Sequence, residues 1–580
     1  MKVKEKKTKL FKDPIYGYIE VPGDIASQFI DTACFQRLRR IVQTSYTPLY
    51  SAALHNRFIH SLGVYHLGKI AFKNAKEFLL SHKEILRGKN IAFIDDKFEE
   101  LFSIACLLHD VGHAPFSHNG EGFYENCTDK NGKTLFEQLC EVVGVEEFSV
   151  CAKKKETDSL AAAPHEKMSV IVALRSFKNY FEDKDKDFFA RCILGYKYAE
   201  TDNPDNEIKN CFISMLNSSI IDVDRLDYAI RDSFVSGYQN VSIDFARLLH
   251  GFIIAYVEQK KQLDFVYHKN ALSIIEHVIF ARDSEQKWMQ NHPIVLYENY
   301  LVKYSIGKVQ QYFSDRNKQN DQNWNDQEYT LFKYEALTKD GNGYGKDTGL
   351  SLSFFSDDDI IFFVKNVCGD DITQEYFDRG KRRHSLWKSE AEYMHLLEQY
   401  LPLASLDKPL SIFADIKKKL EKLLGDESSP SVMDEITLKK IRNELEATES
   451  EIEKSMDEKK DLNPKKTDLS NLIRQFGYMQ KFAEEFKIEF SFLIIFTNKF
   501  KSNFSNLMID DISIWFPLTS ATSAIKDVSP FLKAAPTSFD ERKQTPKEIF
   551  YFYYKGNAKR ADLQKAFFSK LFKNLQKIDS

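Results

Sequence analysis

The stretch ACLLHDVGHAPFSHN, Ala105 to Asn119, ends an apolar run with His109-Asp110 and then adds His113 and His118. A hydrophobic core has no use for so many imidazoles, and adjacent His and Asp cannot share one helical face for packing. At a helix end both can turn toward one ion, and an imidazole with a carboxylate suits a transition metal, Mn or Mg. The remaining ligands should then sit on neighbouring helices. Upstream, HNRFIHSLGV sets His60 at the start of an apolar helix. Downstream, SSIIDVDRLDYAIRDS places Asp222 and Asp224 among apolar residues, where a carboxylate is costly unless paired or metal-bound. The order H, HD, D on successive helices is how helical bundles build metal sites.

The elements that must carry these residues read as helices. Apolar residues recur at three and four spacing in Phe98 to Leu108, Lys167 to Leu174, Phe212 to Ile230 and Ala271 to Trp288, and strand-like sequence is scarce over the same region. Leu10 to Val21 alternates apolar and polar residues and predicts a short hairpin ahead of them. The polar, Gly-bearing stretch 317–351 reads as a loop, and Ser356 to Leu397 returns to helical periodicity. Lys/Glu-rich helices are expected over Ile412 to Leu424 and Met433 to Leu462, with too few apolar positions for a coiled coil. The runs KIEFSFLIIFTNKF, DDISIWFP and IFYFYYKG read as strands, followed by a basic helix around Lys555 to Lys577 whose charges form a solvated face.

At 580 residues, 43% of them hydrophobic and 13% aromatic, the chain can fill more than one core. A formal net charge of -4 argues against a broad nucleic-acid or anionic-membrane surface. The eight cysteines are scattered with no CxxC pair, which fits reduced thiols rather than disulfides or a thiolate zinc site. No run of about 18 apolar residues occurs, and no apolar segment follows the basic N-terminus, so a cytoplasmic protein with no membrane partner is expected.

Taken in order, DPIYGYIEV, IDTACFQRLRRIVQ, HNRFIHSLGV, LLHDVGHAPFSH and IDVDRLDYAIRD resemble the HD-domain superfamily of metal-dependent phosphohydrolases, and within it the deoxynucleoside triphosphate triphosphohydrolases. The likeness runs from Lys9 to Phe313, with a weaker echo in FSDDDIIFFV and YFDRGKRRHSLWK. The first motif begins at Asp13, and no SAM domain is expected ahead of it. The fold expected is mainly α. It comprises an N-terminal hairpin segment (1–23), an HD helical bundle (24–313), a helical extension with a polar loop (314–400), a charged helical segment (401–465) and a small α+β C-terminal unit (466–580).

The resemblance implies that His60, His109, Asp110 and Asp224 hold a divalent ion (Fe, Mn, Zn or Ni), with Mg accompanying the substrate phosphates. An ion so held lowers the pKa of a coordinated water toward neutrality. It implies His118 as general acid for the departing 5'-oxygen, oriented by Glu121 where relatives carry Asp, with His113, His165 and Glu166 completing the catalytic group. Arg57 and Arg225 match phosphate-binding positions, the latter in place of Lys, while Gln43, Tyr228, Asp232 and Tyr304 match contacts around the nucleotide. Thr44 replaces an apolar residue beside the 2'-position, and the expected Arg and His fall on Leu296 and Tyr300.

A nucleotide activator is implied at Lys9, Asp31, Gln36, Arg39 and Arg379, although Ser284 and Gly307 replace basic residues of an adjacent site. Binding between subunits would favour a homo-oligomer, dimer or tetramer. The function implied is hydrolysis of nucleoside triphosphates to nucleoside and tripolyphosphate, in nucleotide-pool control or antiviral defence. The rival reading is an HD-type phosphodiesterase or nuclease. Nucleic acid is a disfavoured partner, because no basic, aromatic-lined stripe accompanies the motifs.

Overall fold

Asn56, held extended, accepts a hydrogen bond from the Ile59 amide and starts the 25-residue helix Arg57–Ser81. Asp95 does the same for Asp96–Leu108, whose residues from Leu101 onward are all buried. Pro164 opens helix Pro164–Ser176, with Glu166 reaching back to the Ala163 amide. Asp222 caps Val223–Ser236 through the Arg225 amide, and Gly237 closes it in the left-handed region at φ 71. The single run expected over Phe212 to Ile230 is therefore two helices, Pro204–Leu216 and Val223–Ser236, and Asp222, buried as expected and paired with Arg225, caps the second.

The computed structural model describes residues 7–86, 93–125, 128–129, 131–158, 160–199, 204–218, 221–238, 243–320, 331–338, 353–424, 432–454, 459–498, 512–530 and 548–579. Of the stretch read as a polar loop, 317–320 end helix Pro293–Asn320, while 321–330 and 339–351 lie outside the described residues. The fold is mainly α. No described helix is long and apolar enough to cross a membrane.

The chain divides into two units. The first comprises Met1–Gln286, Ser305–Cys368 and Lys501–Phe539. Its N-terminal hairpin pairs Thr8–Asp13 with Gly17–Pro22, as the alternation predicts. Helices Arg57–Ser81 and Val223–Ser236 approach so closely that a Cβ on Gly63 would fall 1.9 Å from Asp227 Oδ1. A second hairpin, Phe252–Val257 with Gln262–His268, sits in a region expected to be almost free of strands. Its two β-branched and aromatic runs flank a charged turn with Lys261 at φ 53. Ser513–Phe516 pairs in parallel with Gln262–His268 and antiparallel with Ala521–Ala524. The strand DDISIWFP thus belongs to the first unit, whereas the sequence reading grouped all of 466–580 together.

The second unit comprises Lys287–Tyr304, Gly369–Phe500 and Asp540–Ser580. Its antiparallel sheet runs His384–Ser385, Phe550–Tyr554, Ser491–Phe496, Val432–Asp434. Met433, expected in a helix, lies in the last of these strands. Helices Glu435–Lys454 and Lys459–Phe486 run antiparallel, as Lys465 pairs with Glu444 at 2.6 Å and Gln480 donates to Glu435 at 3.1 Å. Trp387 is fully buried among Phe550, Phe567 and Phe568 and donates its indole N–H to Phe550 O. The charged helices and the C-terminal strands therefore share one core, because the apolar faces of Lys408–Leu424 and Lys459–Phe486 cover the sheet. Tyr304 and Arg379 fall in this second unit; the other site candidates fall in the first.

Candidate metal centre and histidine cluster

The last turn of helix Asp96–Leu108 delivers His109 and Asp110, the Arg57 helix delivers His60, and the first turn of the Val223 helix delivers Asp224. Asp224 Oδ1 lies 3.0 Å from His60 Nε2 and 3.5 Å from His109 Nε2. Asp110 brings Oδ1 to 3.5 Å from His109 Nε2 and Oδ2 to 3.7 Å from His60 Nε2. Each of His60, His109 and Asp110 offers a ligand atom within 4.8 Å of the others, and all three are buried.

The other ring nitrogens test whether this set fits an ion. His60 Nδ1 lies 2.7 Å from Asp227 Oδ2, and His109 Nδ1 lies 2.9 Å from Cys106 O. Both acceptors are oxygens and hold the Nδ1 protons; each Nε2, which also faces Asp224 Oδ1, then either takes a second proton or presents a lone pair to an ion. The two Nε2 atoms face each other at 3.3 Å, an arrangement that repels unless positive charge intervenes. Burial alone would lower the His60 pKa, but hydrogen bonds to Asp224 and Asp227 push it up to about 10, so the site draws positive charge. A divalent ion would take the place of that proton, and the mixed N/O donor set suits Fe, Mn, Zn or Ni.

Beside it lies a second cluster. Glu121 Oε1 is 2.5 Å from His118 Nδ1, 2.9 Å from His165 Nδ1 and 3.4 Å from His113 Nε2, so one carboxylate oxygen serves three imidazoles. His113 and His165 stack at 4.4 Å, and neither His113 nitrogen nor His165 Nδ1 has a well-aligned hydrogen-bond partner. Burial would raise the Glu121 pKa, but His165 and His118 hold it far below the usual carboxylate range. His165, which burial would lower, is pushed up to about 9 by Glu121. Burial, with the charges of Arg57 and His165, keeps His113 well down and neutral. His118 itself is exposed. Before it, Phe116 and Ser117 both adopt φ 56, a conformation costing non-glycine residues roughly 1–3 kcal/mol each.

Arg57 joins the two clusters. It donates from Nη1 to Asp110 Oδ2 at 2.8 Å and from Nε to Ser117 Oγ at 2.9 Å, leaving Nη2 3.4 Å from His118 Nε2.

With this geometry, residues 57–187 match the family model of the HD domain. The chain carries an HD domain. HD domains bind divalent metals. The chain is 28% identical to the uncharacterized protein YwfO of Bacillus subtilis over 49% of its own length and 52% of that protein. It is 31% identical to the deoxynucleoside triphosphate triphosphohydrolase SAMHD1 homolog of Dictyostelium discoideum over 42% of this chain and 39% of that one. Against SAMHD1 of Danio rerio the figures are 28%, 44% and 38%. The chain thus spans about half the length, or less, of the curated relatives it matches. A solved phosphohydrolase of Bacteroides thetaiotaomicron superposes with a TM-score of 0.50 at 18% identity, covering 95% of this chain and all of that one, which bears on the fold alone.

Around the HD domain's clusters the other candidates divide. Asp232 is buried with Oδ1 2.7 Å from His55 Nε2, and Gln43, whose amide bonds to His55 O, has its Oε1 buried without a hydrogen-bond partner. Tyr228 is half-buried on the same helix. Arg225 is turned back onto its own helix start, bonding Asp222 and Ser218 O. Both Glu166 oxygens are engaged outside the imidazole cluster: Oε2 accepts from the Ala163 amide and Oε1 from Asn217, each at 2.7 Å, making it a cap for the helix that carries His165. Tyr304 donates to Asp370 Oδ2 at 2.7 Å within the second unit. Lys9 pairs with Asp31 at 2.5 Å, and Gln36 accepts from Arg39, whose guanidinium lies 3.5 Å above the Phe58 ring, so these four share an exposed face. Arg379 is exposed in the second unit.

The sequence reading passed over Asp227 and His55. Asp227 binds His60, Arg231 and the Tyr16 hydroxyl, and its signal was its place three residues after Asp224 on one helix.

Proposed function

We propose that the chain catalyses metal-dependent hydrolysis of (deoxy)nucleoside triphosphates to the nucleoside and tripolyphosphate. The observation that carries this reading is the adjacency of the His60, His109, Asp110 and Asp224 set to the His118–Glu121 pair, with Arg57 touching both. The first set would hold a divalent ion, which would supply positive charge and lower the pKa of water. Cleavage of the bond between the α-phosphorus and O5' leaves an alkoxide that needs a proton. Exposed His118 supplies it from Nε2, while Glu121 at Nδ1 fixes the ring.

Protonated His165 and Arg57 balance the phosphate charge from one side. Arg225 reaches the phosphates only by exchanging its bonds to Asp222 and Ser218 O. Asp232, Tyr228 and Gln43 line the sugar position. Relatives named deoxynucleoside triphosphate triphosphohydrolases support the substrate class. In the same reading Mg accompanies the substrate phosphates, a nucleotide activator binds at Lys9, Asp31, Gln36 and Arg39, and the active form is a dimer or tetramer. Its cellular place is nucleotide-pool control or antiviral defence in the cytoplasm.

The test is incubation of the purified protein with each dNTP and NTP plus Mn or Mg, with and without GTP or dTTP, followed by chromatography. Nucleoside plus tripolyphosphate is expected. Monophosphate plus pyrophosphate, or cleavage of oligonucleotides alone, overturns the proposal, the latter in favour of the phosphodiesterase.

A further inference from the structure

We infer that Asp357 is a positioning residue for the proton donor, its carboxylate clamping the turn that ends at His118 to the loop that carries Gln43. The inference rests on the reading of His118 as donor.

Asp357 begins the short helix Asp357–Phe363, far along the chain from both partners, and is 4% exposed. Oδ1 accepts from the Phe116 amide at 2.5 Å and Oδ2 from the Val42 amide at 2.8 Å. A capping carboxylate has no need to bridge two other segments. Both segments lead directly into the site: Phe116 precedes Ser117-His118, and Val42 precedes Gln43. A second buried charge grips the same turn from the opposite polarity. Arg37 donates from Nη2 to the carbonyls of Val111 and His113, at 3.2 and 2.6 Å, and from Nη1 to Phe355 O at 2.8 Å. Carbonyls at the start of the turn are thus held by a guanidinium and an amide at its end by a carboxylate.

What is held is a backbone that resists the conformation. Phe116 and Ser117 both stand at φ 56, where neither side chain is at ease, and the Ser117 hydroxyl completes the closure by donating to Val42 O. Without the Asp357 oxygens, the buried Phe116 amide and the part-buried Val42 amide lose their acceptors and the turn is free to relax toward negative φ. That would swing His118 off Glu121 and Arg57 while leaving His60 and Asp224, on other segments, and His109, at the helix end before the turn, in place.

The test uses Asp357→Asn, which keeps the shape but can accept from only one amide, and Asp357→Glu as a second variant should the first not fold. On a nucleoside triphosphate, kcat is expected to fall about 10²-fold with KM within about threefold and metal content unchanged. On bis(p-nitrophenyl) phosphate, whose nitrophenolate leaves without a proton, the loss should stay within about threefold. In histidine-labelled protein, the ¹³Cε1–¹H signal of His118, assigned with His118→Gln, should broaden or split. Equal losses on both substrates, no loss on the triphosphate, or an unchanged His118 signal overturns the inference. The labelled-histidine measurement needs no substrate. A wild-type protein that releases no tripolyphosphate therefore sinks the substrate reading and leaves the clamp to be decided by His118.

Discussion

His60 Nδ1 donates to Asp227 Oδ2 across 2.7 Å, and Asp227 is itself gripped by Arg231 through Nε and Nη2, both at 2.9 Å. Arg231 Nη1 reaches on to Asp13 Oδ2 at 2.9 Å. The chain of charges fixes which His60 nitrogen faces the centre. Asp227→Asn should weaken divalent-ion binding by roughly 10- to 100-fold. Metal retained after dialysis, measured by plasma mass spectrometry, checks this; wild-type retention would refute it.

The His118–Glu121 pair should dominate turnover. His118→Gln is expected to lower kcat by roughly 10²–10⁴-fold with little change in metal content. Glu121→Gln should cost nearly as much, and the double variant little more than either, since both act on one proton. Additive losses would show that the two side chains work independently.

Acid–base behaviour follows from the second cluster. The folded pKa of His165 is raised from 6.5 to about 9, so its stabilising pair with Glu121 is fully present below 6.5 and is lost as pH rises through about 9. Melting temperature should therefore decline between those limits in the wild type. In Glu121→Gln that decline should flatten, which scanning calorimetry across the range would reveal.

Gly63 leaves no room for a side chain, since a Cβ would stand 1.9 Å from Asp227 Oδ1 and 2.5 Å from Arg231 Nη2. Gly63→Ala is expected to destabilise the fold by roughly 1–3 kcal/mol or more and to impair metal binding with it. Urea unfolding with and without Mn checks both effects. A variant as stable as the wild type would mean that the two helices separate freely.

If a nucleotide activator binds at the Lys9 face, Asp31→Ala and Lys9→Ala should each abolish stimulation by GTP or dTTP in the incubation assay. Stimulation that survives both substitutions places the activator elsewhere.

The HD set was legible in the sequence because its members lie in short motifs whose residue types make sense only together, and the spacing of His109, Asp110, His113 and His118 follows from one helix end and one turn. Asp227 and His55 were not, because each acts through a residue already assigned a role, and the one local hint, Asp227 lying three residues after Asp224, does not by itself separate it from a surface carboxylate. Glu166 looked functional through adjacency to His165, yet neighbours on a helix point about 100° apart, and it became a cap. The helices were readable from periodicity. The pairing of Ser513–Phe516 with Gln262–His268 was not, because strand partners so distant in the chain leave no periodic trace.

That pairing bears on how the polypeptide is made. Each unit is assembled from three separated pieces, the last of the first unit coming from Lys501–Phe539 and the last of the second from Asp540–Ser580. During synthesis, Gln262–His268 must wait as an unprotected sheet border until Ser513–Phe516 has been made. Nascent chains should accordingly depend on chaperones over that interval, and truncations ending before Ile512 should aggregate even though every candidate metal ligand is already present.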